Sequence, residues 1–414
     1  MADLFERRAR ALVIESLAHA RIVFIAGARQ VGKTTLVGDI ARPDGNHPMV
    51  LVTLDDRATR EAARDDPTGF VAGLGGPAVI DEIQHAPELL LELKRAVDAD
   101  TVPGRFLITG SADVLVSRRI IDALPGRIDR IELWPLGRSE IEGGKLNFVD
   151  ELLAGRVPRV SGAAVGADAY AQVIAEGGYP EARVRPAGRL RSRWFRDYLA
   201  GTLGRDLREL ADLRRADESE RLLRLIASQS ANLLSYRKIA QQLDLDDKTV
   251  KEHTLLLEQL FLVKRLGGWR PGLGARETAR PKAYLCDAGL LAHLLGADEG
   301  RIRSDDQVKG KACETLVFAE LIKHAAWAEQ DVRLFHYQRD REDIDFIIEN
   351  NAGEIAAVEV KATASIDRRD RRWLEHLRDG RTSSFKAGIV IHSGPQTIPL
   401  GDRLWAMPFS GLWA

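Results

Sequence analysis

Eight residues near the start of the chain have the types and the spacing of a phosphate-binding loop. Gly27 and Gly32 enclose four residues, and Lys33 and Thr34 follow directly, which fits the pattern G-x-x-x-x-G-K-[ST]. In such a loop the backbone N–H groups surround an anion, and the helix that follows points its positive end at the β-phosphate. Lys33 would contact the β- and γ-phosphates, and the Thr34 hydroxyl would bind Mg²⁺. The nucleotide-binding residues predicted from this loop, the P-loop, are Gly27, Ala28, Arg29, Gln30, Val31, Gly32, Lys33, Thr34 and Thr35.

Two carboxylates after a second apolar run could complete a site for hydrolysis. Asp81 and Glu82 follow the run at 78–80, and downstream of a P-loop this pattern is typical of a metal-binding strand. We predict that Asp81 holds Mg²⁺, directly or through water, and that Glu82 orients and deprotonates the attacking water. A further predicted strand ends in Thr109 and Ser111. These side chains would lie between the strand that precedes the P-loop and the strand that ends in Asp81 and Glu82, and would report whether a γ-phosphate is present. The acidic pair suits water activation better than a bound acceptor, which disfavours a small-molecule kinase.

Cleavage of the β–γ bond also requires positive charge against the developing negative charge. Arg118, Arg119 and Arg127 follow the predicted strand at 105–111, and an arginine in that role contributes about 10³–10⁵ in rate. We take Arg127 as the catalytic candidate. The sequence leaves open whether it serves its own subunit or a neighbour, and a surface or structural role is an equal alternative.

A third group of charged residues lies near the C-terminus. Glu359 and Lys361 share one face of a predicted strand, because side-chain direction along a strand has a period of two. Asp345 precedes Glu359 by fourteen residues on the partner strand of a hairpin, which turns at 350–353, and Glu314 lies on the preceding helix. The set resembles the PD-(D/E)xK nuclease constellation in an αβββαβ core. Asp345, Glu359 and Glu314 are the predicted Mg²⁺ ligands, and Glu359 and Lys361 are the predicted catalytic pair. The alternative is an inherited fold whose carboxylates survive in a salt-bridge network.

The middle of the chain is predicted to be helical. The segments 235–243 and 246–261 predict a helix, a turn and a second helix, and the strand and glycine pair before Trp269 could form the wing of a winged helix. Three aspartates crowd the start of the second helix, which disfavours DNA reading by it; a lid or spacer between domains is the alternative. The turn at 176–181 is sharp, and the residues themselves suggest no chemical role for it.

Taken together, these strings resemble a prokaryotic family of AAA+-superfamily ATPases with a C-terminal domain of unknown function. The resemblance rests on GARQVGKTTL, LDD, VIDEIQHAPELL, FLITGSADVL and LPGRIDRIEL and covers nearly the whole chain. It implies an α/β P-loop NTPase fold, a three-layer core with a parallel sheet, helices on both faces and ATP at the strand ends.

Composition limits what can be predicted about partners, cysteine chemistry and localisation. The 414 residues carry 60 Lys+Arg against 61 Asp+Glu, so net charge neither supports nor excludes a nucleic-acid partner. The two cysteines, Cys286 and Cys313, provide no disulfide framework or metal quartet. The N-terminus lacks the apolar region of a signal peptide and no apolar run approaches eighteen residues, so we predict a cytoplasmic protein without membrane contact.

We therefore predict three domains: an ATPase domain at 1–140, a helical and winged-helix-like region at 141–295, and a nuclease-like domain at 296–414. ATP and Mg²⁺ are the expected cofactors. The leading hypothesis is an ATPase whose cycle controls a nuclease acting on nucleic acid, DNA rather than RNA, with homo-oligomers expected. The alternative is an ATP-dependent switch that binds a protein or DNA partner and carries an inactive nuclease fold.

Overall fold

The computed structural model describes residues 5–42, 48–111, 126–160, 167–206, 216–339 and 341–414. The candidate arginines Arg118 and Arg119 lie outside these ranges. The chain divides into two compact units. The first comprises 1–135, 204–214 and 259–261, and the second comprises 136–203, 215–258 and 262–414.

The first unit contains a parallel five-stranded sheet. Its strands are β1 (Ile22–Ala26), β2 (Val50–Thr53), β3 (Ala78–Asp81), β4 (Phe106–Gly110) and β5 (Ile128–Glu132). The order is β2-β3-β4-β1-β5, and all four pairings are parallel. Every residue of β1, β3 and β4 is buried, as expected for inner strands that are covered on both faces. The sheet confirms the α/β P-loop NTPase fold expected for this part of the chain.

Within the described part of this unit, five α-helices accompany the sheet. They are α1 (Ala9–His19), α2 (Lys33–Ile40), α3 (Arg57–Asp65), α4 (Pro67–Gly73) and α5 (Leu89–Ala99). Aspartate side chains set two of their starts, because Asp56 accepts the backbone N–H of Thr59 and Asp66 accepts that of Gly69. Helix α2 begins directly after the P-loop, with Gly32 as its N-cap. The loop thus connects β1, an inner strand of the sheet, to a helix N-terminus.

The second unit begins with helices. Up to the C-terminal sheet they are α6 (Arg138–Glu142), α7 (Phe148–Leu153), α8 (Ala167–Glu176), α9 (Pro180–Arg183), α10 (Arg189–Gly201), α11 (Ala216–Ser228), α12 (Tyr236–Leu243), α13 (Asp247–Gln259), α14 (Leu273–Glu277), α15 (Ala288–Leu294), α16 (Glu299–Ser304) and α17 (Asp306–Ala326). The two predicted helices at 235–261 are confirmed as α12 and α13; the Ser235 and Asp246 side chains accept backbone N–H groups at their starts. A two-stranded antiparallel sheet of β6 (Val263–Leu266) and β7 (Lys282–Leu285) follows. The winged helix as a functional module stays a prediction.

The turn at 176–181 has a structural role. The Gly178 backbone N–H donates to the Asp287 carboxylate over 2.6 Å, and Asp287 also caps α15 by accepting the Leu290 N–H. A Cβ on Gly289 would lie 2.9 Å from the backbone of Gly177, so both positions require glycine for the close approach. These contacts hold together two segments that lie far apart in the sequence.

The C-terminal half of the second unit is a mixed six-stranded sheet. Its strands are β8 (Val332–Arg339), β9 (Glu342–Asn350), β10 (Ile355–Val360), β11 (Phe385–His392), β12 (Ile398–Gly401) and β13 (Leu404–Pro408), in the order β12-β13-β11-β10-β9-β8. Helix α18 (Arg368–Gly380) connects β10 to β11, which are parallel. The succession α17-β8-β9-β10-α18-β11 matches the predicted αβββαβ order, and Asn350 shapes the predicted hairpin turn by accepting the backbone N–H groups of Ala352 and Glu354. A relation to PD-(D/E)xK nucleases stays a prediction.

Within the described ranges, no helix combines the length and the apolar character that crossing a membrane requires.

Candidate functional site

The P-loop adopts the backbone conformation that an anion cradle requires. Gln30 and Gly32 have φ values of 59° and 95°, so the loop bends through the left-handed region twice before α2 begins. Gly27 cannot carry a side chain, because a Cβ there would lie 2.3 Å from the carbonyl oxygen of Leu133. The Arg7 guanidinium donates to the carbonyl oxygens of Val31, over 2.6 Å, and Trp134, over 2.7 Å, and so fixes the outer wall of the loop. Sequence reasoning missed Arg7, since nothing in its spacing links it to the loop.

Lys33 is buried beneath the loop. Its Nζ donates to the carbonyl oxygens of Gly27, over 3.1 Å, and Ala28, over 3.0 Å, and lies 4.0 Å from Glu82 Oε1. The two backbone carbonyl oxygens therefore hold the amine at the centre of the loop. Thr34 and Thr35 at the start of α2 are exposed.

Asp81 accepts two threonine hydroxyls at the carboxyl edge of the sheet. Thr34 Oγ1 donates to Asp81 Oδ2 over 2.9 Å, and Thr109 Oγ1 donates to Oδ1 over 2.6 Å. Burial raises the pKa of Asp81, and the two hydroxyl donors and the Lys33 charge oppose that shift. Thr34 and Asp81 form the oxygen pair that Mg²⁺ binds in P-loop proteins, so the donor set fits ATP with Mg²⁺.

Glu82 is held by residues from a neighbouring strand. Its backbone lies in the left-handed region, at φ 58° and ψ 52°, which is strained for a residue other than glycine. The Thr109 hydroxyl accepts the Glu82 N–H over 3.0 Å, and Gln84 Nε2 bonds both Glu82 Oε2 and, over 2.8 Å, Ser111 Oγ. The structure thus places β4 between β1 and β3 and links its polar end to the candidate base.

Arg127 lies at the edge of this sheet where the parallel strands begin, opposite the edge that carries the P-loop. It directly precedes β5, which runs parallel to β1, and its carbonyl oxygen accepts the Ile22 N–H at the start of β1. Its guanidinium pairs with Asp98 over 2.5 Å. The P-loop follows the other end of β1, so the structure does not bring Arg127 to the P-loop of its own chain. Of the two alternatives that the sequence left open, this position disfavours a role in the site of its own chain, and a role in the site of a neighbouring copy stays a prediction.

The C-terminal carboxylates surround a lysine that sequence reasoning had not singled out. Lys282 Nζ, on β7, lies 3.5 Å from Glu314 Oε1, 3.5 Å from Asp345 Oδ1 and 3.8 Å from Asp343 Oδ1. The side chain of Lys282 is 5% exposed. Tyr284, two residues further along β7, donates its hydroxyl to Glu314 over 2.6 Å. An ammonium group occupies the position between the carboxylates where a cation was expected.

The predicted catalytic pair faces the same cluster. Lys361 Nζ lies 2.9 Å from Glu359 Oε1 and 3.7 Å from Asp370 Oδ1, and the Val360 N–H donates to Asp345 Oδ2 over 2.8 Å. The structure therefore brings Asp345, Glu359 and Lys361 together at the end of β10. Among the residues that the structure describes, however, no three His, Cys, Asp or Glu side chains are arranged to hold a metal ion. The Mg²⁺ site predicted at Glu314, Asp345 and Glu359 does not fit this arrangement.

Burial dominates the electrostatics of this acidic cluster. It raises the pKa of Glu314 to about 8, with the neighbouring Asp345 charge as the next cause. It also raises the pKa of Asp345 and of Glu359, although Lys282 and Lys361 oppose both shifts. The carboxylates outnumber the lysines, so the cluster retains a tendency to take up protons or another cation.

Three segments of the chain match protein families. Residues 19–142 match the AAA domain family, residues 167–301 match a domain of unknown function, DUF8612, and residues 309–412 match another, DUF4143. Together with the sheet and the P-loop geometry, the first match identifies an AAA-type P-loop ATPase domain and supports ATP binding and hydrolysis.

Two relatives match over nearly the whole of this chain. The chain is 29% identical over 414 residues to the uncharacterized protein Rv2008c of Mycobacterium tuberculosis, covering 98% of this chain and 84% of that protein. It is 22% identical over 407 residues to the uncharacterized protein MJ1544 of Methanocaldococcus jannaschii, covering 95% and 87%.

Among solved structures, a signal transduction ATPase with a tetratricopeptide repeat sensor from Pyrococcus horikoshii matches with 15% identity and a TM-score of 0.27, covering 78% of this chain and 49% of that one. AMPPCP-bound DnaA from Aquifex aeolicus matches with 16% identity and a TM-score of 0.25, covering 62% and 89%. Likeness at this level carries no argument about the present chain.

Proposed function

We propose that this chain is an ATP-dependent molecular switch. ATP hydrolysis in the first unit would control the binding of a protein or nucleic-acid partner, DNA rather than RNA, by the second unit, in which a nuclease-like arrangement no longer cuts. The observation that carries the second part is the Lys282 amine, 3.5 Å from both Glu314 and Asp345, in place of an open cation position. The first part rests on the P-loop and the acidic pair on β3.

The residues of the first unit divide the work of hydrolysis among them. Lys33 would bind the phosphates from the centre of the loop, and Thr34 with Asp81 would hold Mg²⁺. When bound, ATP with Mg²⁺ supplies the phosphoryl group and neutralises charge on the leaving oxygens. Glu82 would orient water and accept its proton at Oε1, since Gln84 engages Oε2. The hydrogen bonds that link Glu82 through Gln84 to Ser111 would transmit to β4 whether a γ-phosphate is bound.

The first experiment measures ATP turnover with and without added DNA or RNA, for the wild type and Glu82→Gln. Glu61→Gln, an exposed glutamate on α3, is the matched control. We expect turnover in the wild type and in the control and none in Glu82→Gln, which should still bind ATP. Equal turnover in Glu82→Gln and the wild type would refute the assignment of the base.

A metal-dependent nuclease is the second candidate function. The excess of carboxylates and the Glu359–Lys361 pair at the end of β10 favour it. The decisive assay adds Mg²⁺ or Mn²⁺ to labelled DNA and RNA with the wild type, Glu359→Ala and Lys361→Ala. The switch proposal predicts no cleavage by any of the three. Cleavage by the wild type that disappears in both variants would establish the nuclease, whereas cleavage in all three would indicate a contaminant.

A further inference from the structure

The second unit contains a cavity of about 650 Å³ that the proposed function does not use. It lies among α8, the start of α10, the end of α15 and the start of α16, and we call it the α10 cavity. Its walls include Arg191, Ser192, Phe195, His293 and Glu299. A volume of this size is typical of small-molecule sites.

A buried arginine with unused hydrogen-bonding capacity lines the cavity. Arg191 is 9% exposed. One terminal nitrogen donates to the carbonyl oxygen of Arg185 over 3.3 Å, and the other lies 4.0 Å from Glu299 Oε1, beyond hydrogen-bond distance. Its Nε is buried and has no partner among the described residues. A buried guanidinium donor left without an acceptor is costly, and its planar fork matches a carboxylate or a phosphate.

The start of α10 adds a second group of donors. Gly188, Arg189 and Ser192 belong to the cavity wall, and the N-cap residue Gly188 provides no side-chain acceptor. The first N–H groups of a helix have no acceptor within the helix, and the helix dipole places positive charge there. A Cβ on Gly188 would meet nothing within 4 Å, so the space in front of this helix end is open. Backbone donors and the Arg191 fork therefore belong to one cavity.

The rest of the cavity wall contains two aromatic rings that suit the organic part of a ligand. It also contains acidic side chains that limit the negative charge of the ligand. Phe195 and His293 stack with ring centroids 5.5 Å apart and an interplanar angle of 23°. Burial lowers the pKa of His293, and the positive charges of Arg224 and Arg196 lower it further. The Asp298 carboxylate accepts the Arg301 N–H at the start of α16, and Glu299 Oε1 lies 4.0 Å from a terminal nitrogen of Arg191.

We propose that the α10 cavity binds a small organic anion, a phosphate monoester or a carboxylate. Its anionic group accepts from the terminal nitrogens of the Arg191 guanidinium and from the first turn of α10, and its body lies along the Phe195–His293 wall. The site is separate from the P-loop, so it is a second ligand site of the chain. This inference does not depend on the proposed function.

The test is calorimetric titration of the full-length chain carrying Lys33→Ala, which removes the P-loop lysine and with it nucleotide binding there. The probes are inorganic phosphate, adenosine monophosphate and glutarate. The test variants are Arg191→Met and Ser192→Trp; the second places a bulky group in the cavity from an exposed position. Arg193→Met is the matched control, since Arg193 lies on the same helix with its side chain 69% exposed.

We expect at least one probe to bind, Arg191→Met to weaken it about tenfold or more, and Ser192→Trp to abolish it. Arg193→Met should leave the dissociation constant within about twofold. Binding of the phosphate probes alone identifies a phosphorylated ligand, and binding of glutarate alone identifies a carboxylate. Circular dichroism checks the fold; if Arg191→Met is unfolded, Ser192→Trp decides. Absence of binding at millimolar concentrations, or equal binding in the Lys33→Ala parent and a folded test variant, would overturn the inference.

Discussion

The two units each place a lysine among acidic side chains, and the two lysines are used differently. In the first unit Lys33 donates to two backbone carbonyl oxygens and lies 4.0 Å from Glu82, which leaves Asp81 to bind hydroxyl groups. In the second unit Lys282 lies between the Glu314 and Asp345 carboxylates. A lysine held by neutral carbonyls can turn to an incoming phosphate, whereas one surrounded by carboxylates neutralises the site itself. Similar residue types therefore give a site open to a ligand in one unit and, in the other, a cluster whose charge its own lysines partly neutralise.

Among the substitutions that test this difference between the two lysines, the removal of Lys33 should have the largest effect. Lys33→Ala should lower ATP turnover at least about 10²-fold, because charge stabilisation on the transferred phosphoryl group is removed. Lys94→Ala, on α5, is the control in the same unit. A steady-state phosphate-release assay measures both, and circular dichroism checks folding. Turnover in Lys33→Ala close to the wild-type rate would show that the P-loop is not the hydrolytic site.

In the second unit, removal of the lysine should act on stability. Lys282→Met leaves buried carboxylates without their partner, which should lower the free energy of unfolding by about 3–5 kcal/mol. The double variant Lys282→Met/Asp345→Asn should recover part of this loss, because one of the abandoned charges is also removed. Chemical denaturation measures all three, with Lys238→Met, an exposed lysine on α12, as the control. If the single variant were as stable as the wild type, Lys282 would not be neutralising the cluster.

The raised pKa of Glu314 predicts a smaller, pH-dependent effect. A carboxyl group with an ordinary pKa of 4.5 and a folded-state pKa of about 8 binds more protons in the folded chain across that window. Stability should therefore fall as pH rises from about 5 to 8, by at most about 1.4 kcal/mol per pH unit for this one group. Glu314→Gln should flatten the slope, while Glu252→Gln, which is exposed on α13, should not. Unfolding free energies between pH 5 and 8 measure this, and equal slopes in all three proteins would contradict the assignment.

The smallest expected effect concerns Arg127. Since this arginine lies at the sheet edge opposite the P-loop, Arg127→Ala should change ATP turnover by less than about twofold in dilute protein. The assay is repeated at increasing protein concentration. A fall of about 10³-fold that develops only where copies associate would instead reveal an arginine finger supplied to a neighbour.

Much of the first site could be predicted because its residues lie in short contiguous segments of the sequence. The P-loop, the pair on β3 and the polar end of β4 each follow a strand, and in a parallel sheet these strand ends meet at one edge. The sequence analysis left open which subunit Arg127 serves, although the sequence held a signal: Arg127 precedes its strand, whereas the P-loop follows one. The link through Gln84 was not predicted, because it depends on the turn that Glu82 makes after β3.

In the second unit the hairpin and its E-x-K pair were predictable for the same local reason, but the character of the cluster was not. Lys282 comes from β7, well before α17 and the strands that carry the carboxylates, and its spacing resembles no motif. The turn at 176–181 had no assigned role until Asp287 was found to accept its N–H group.

The sequence by itself determined the P-loop and its acidic partners, the strand and helix order of the C-terminal sheet, and the two helices at 235–261, since each depends on local spacing and periodicity. Only the tertiary structure decided which charges meet. It put an ammonium group between the carboxylates, Arg127 at the far edge of its sheet, and Arg191 beside an open helix start. The physical reason is that chain folding sets the distances between residues remote in sequence, and those distances decide whether a charge binds a ligand or is neutralised within the fold.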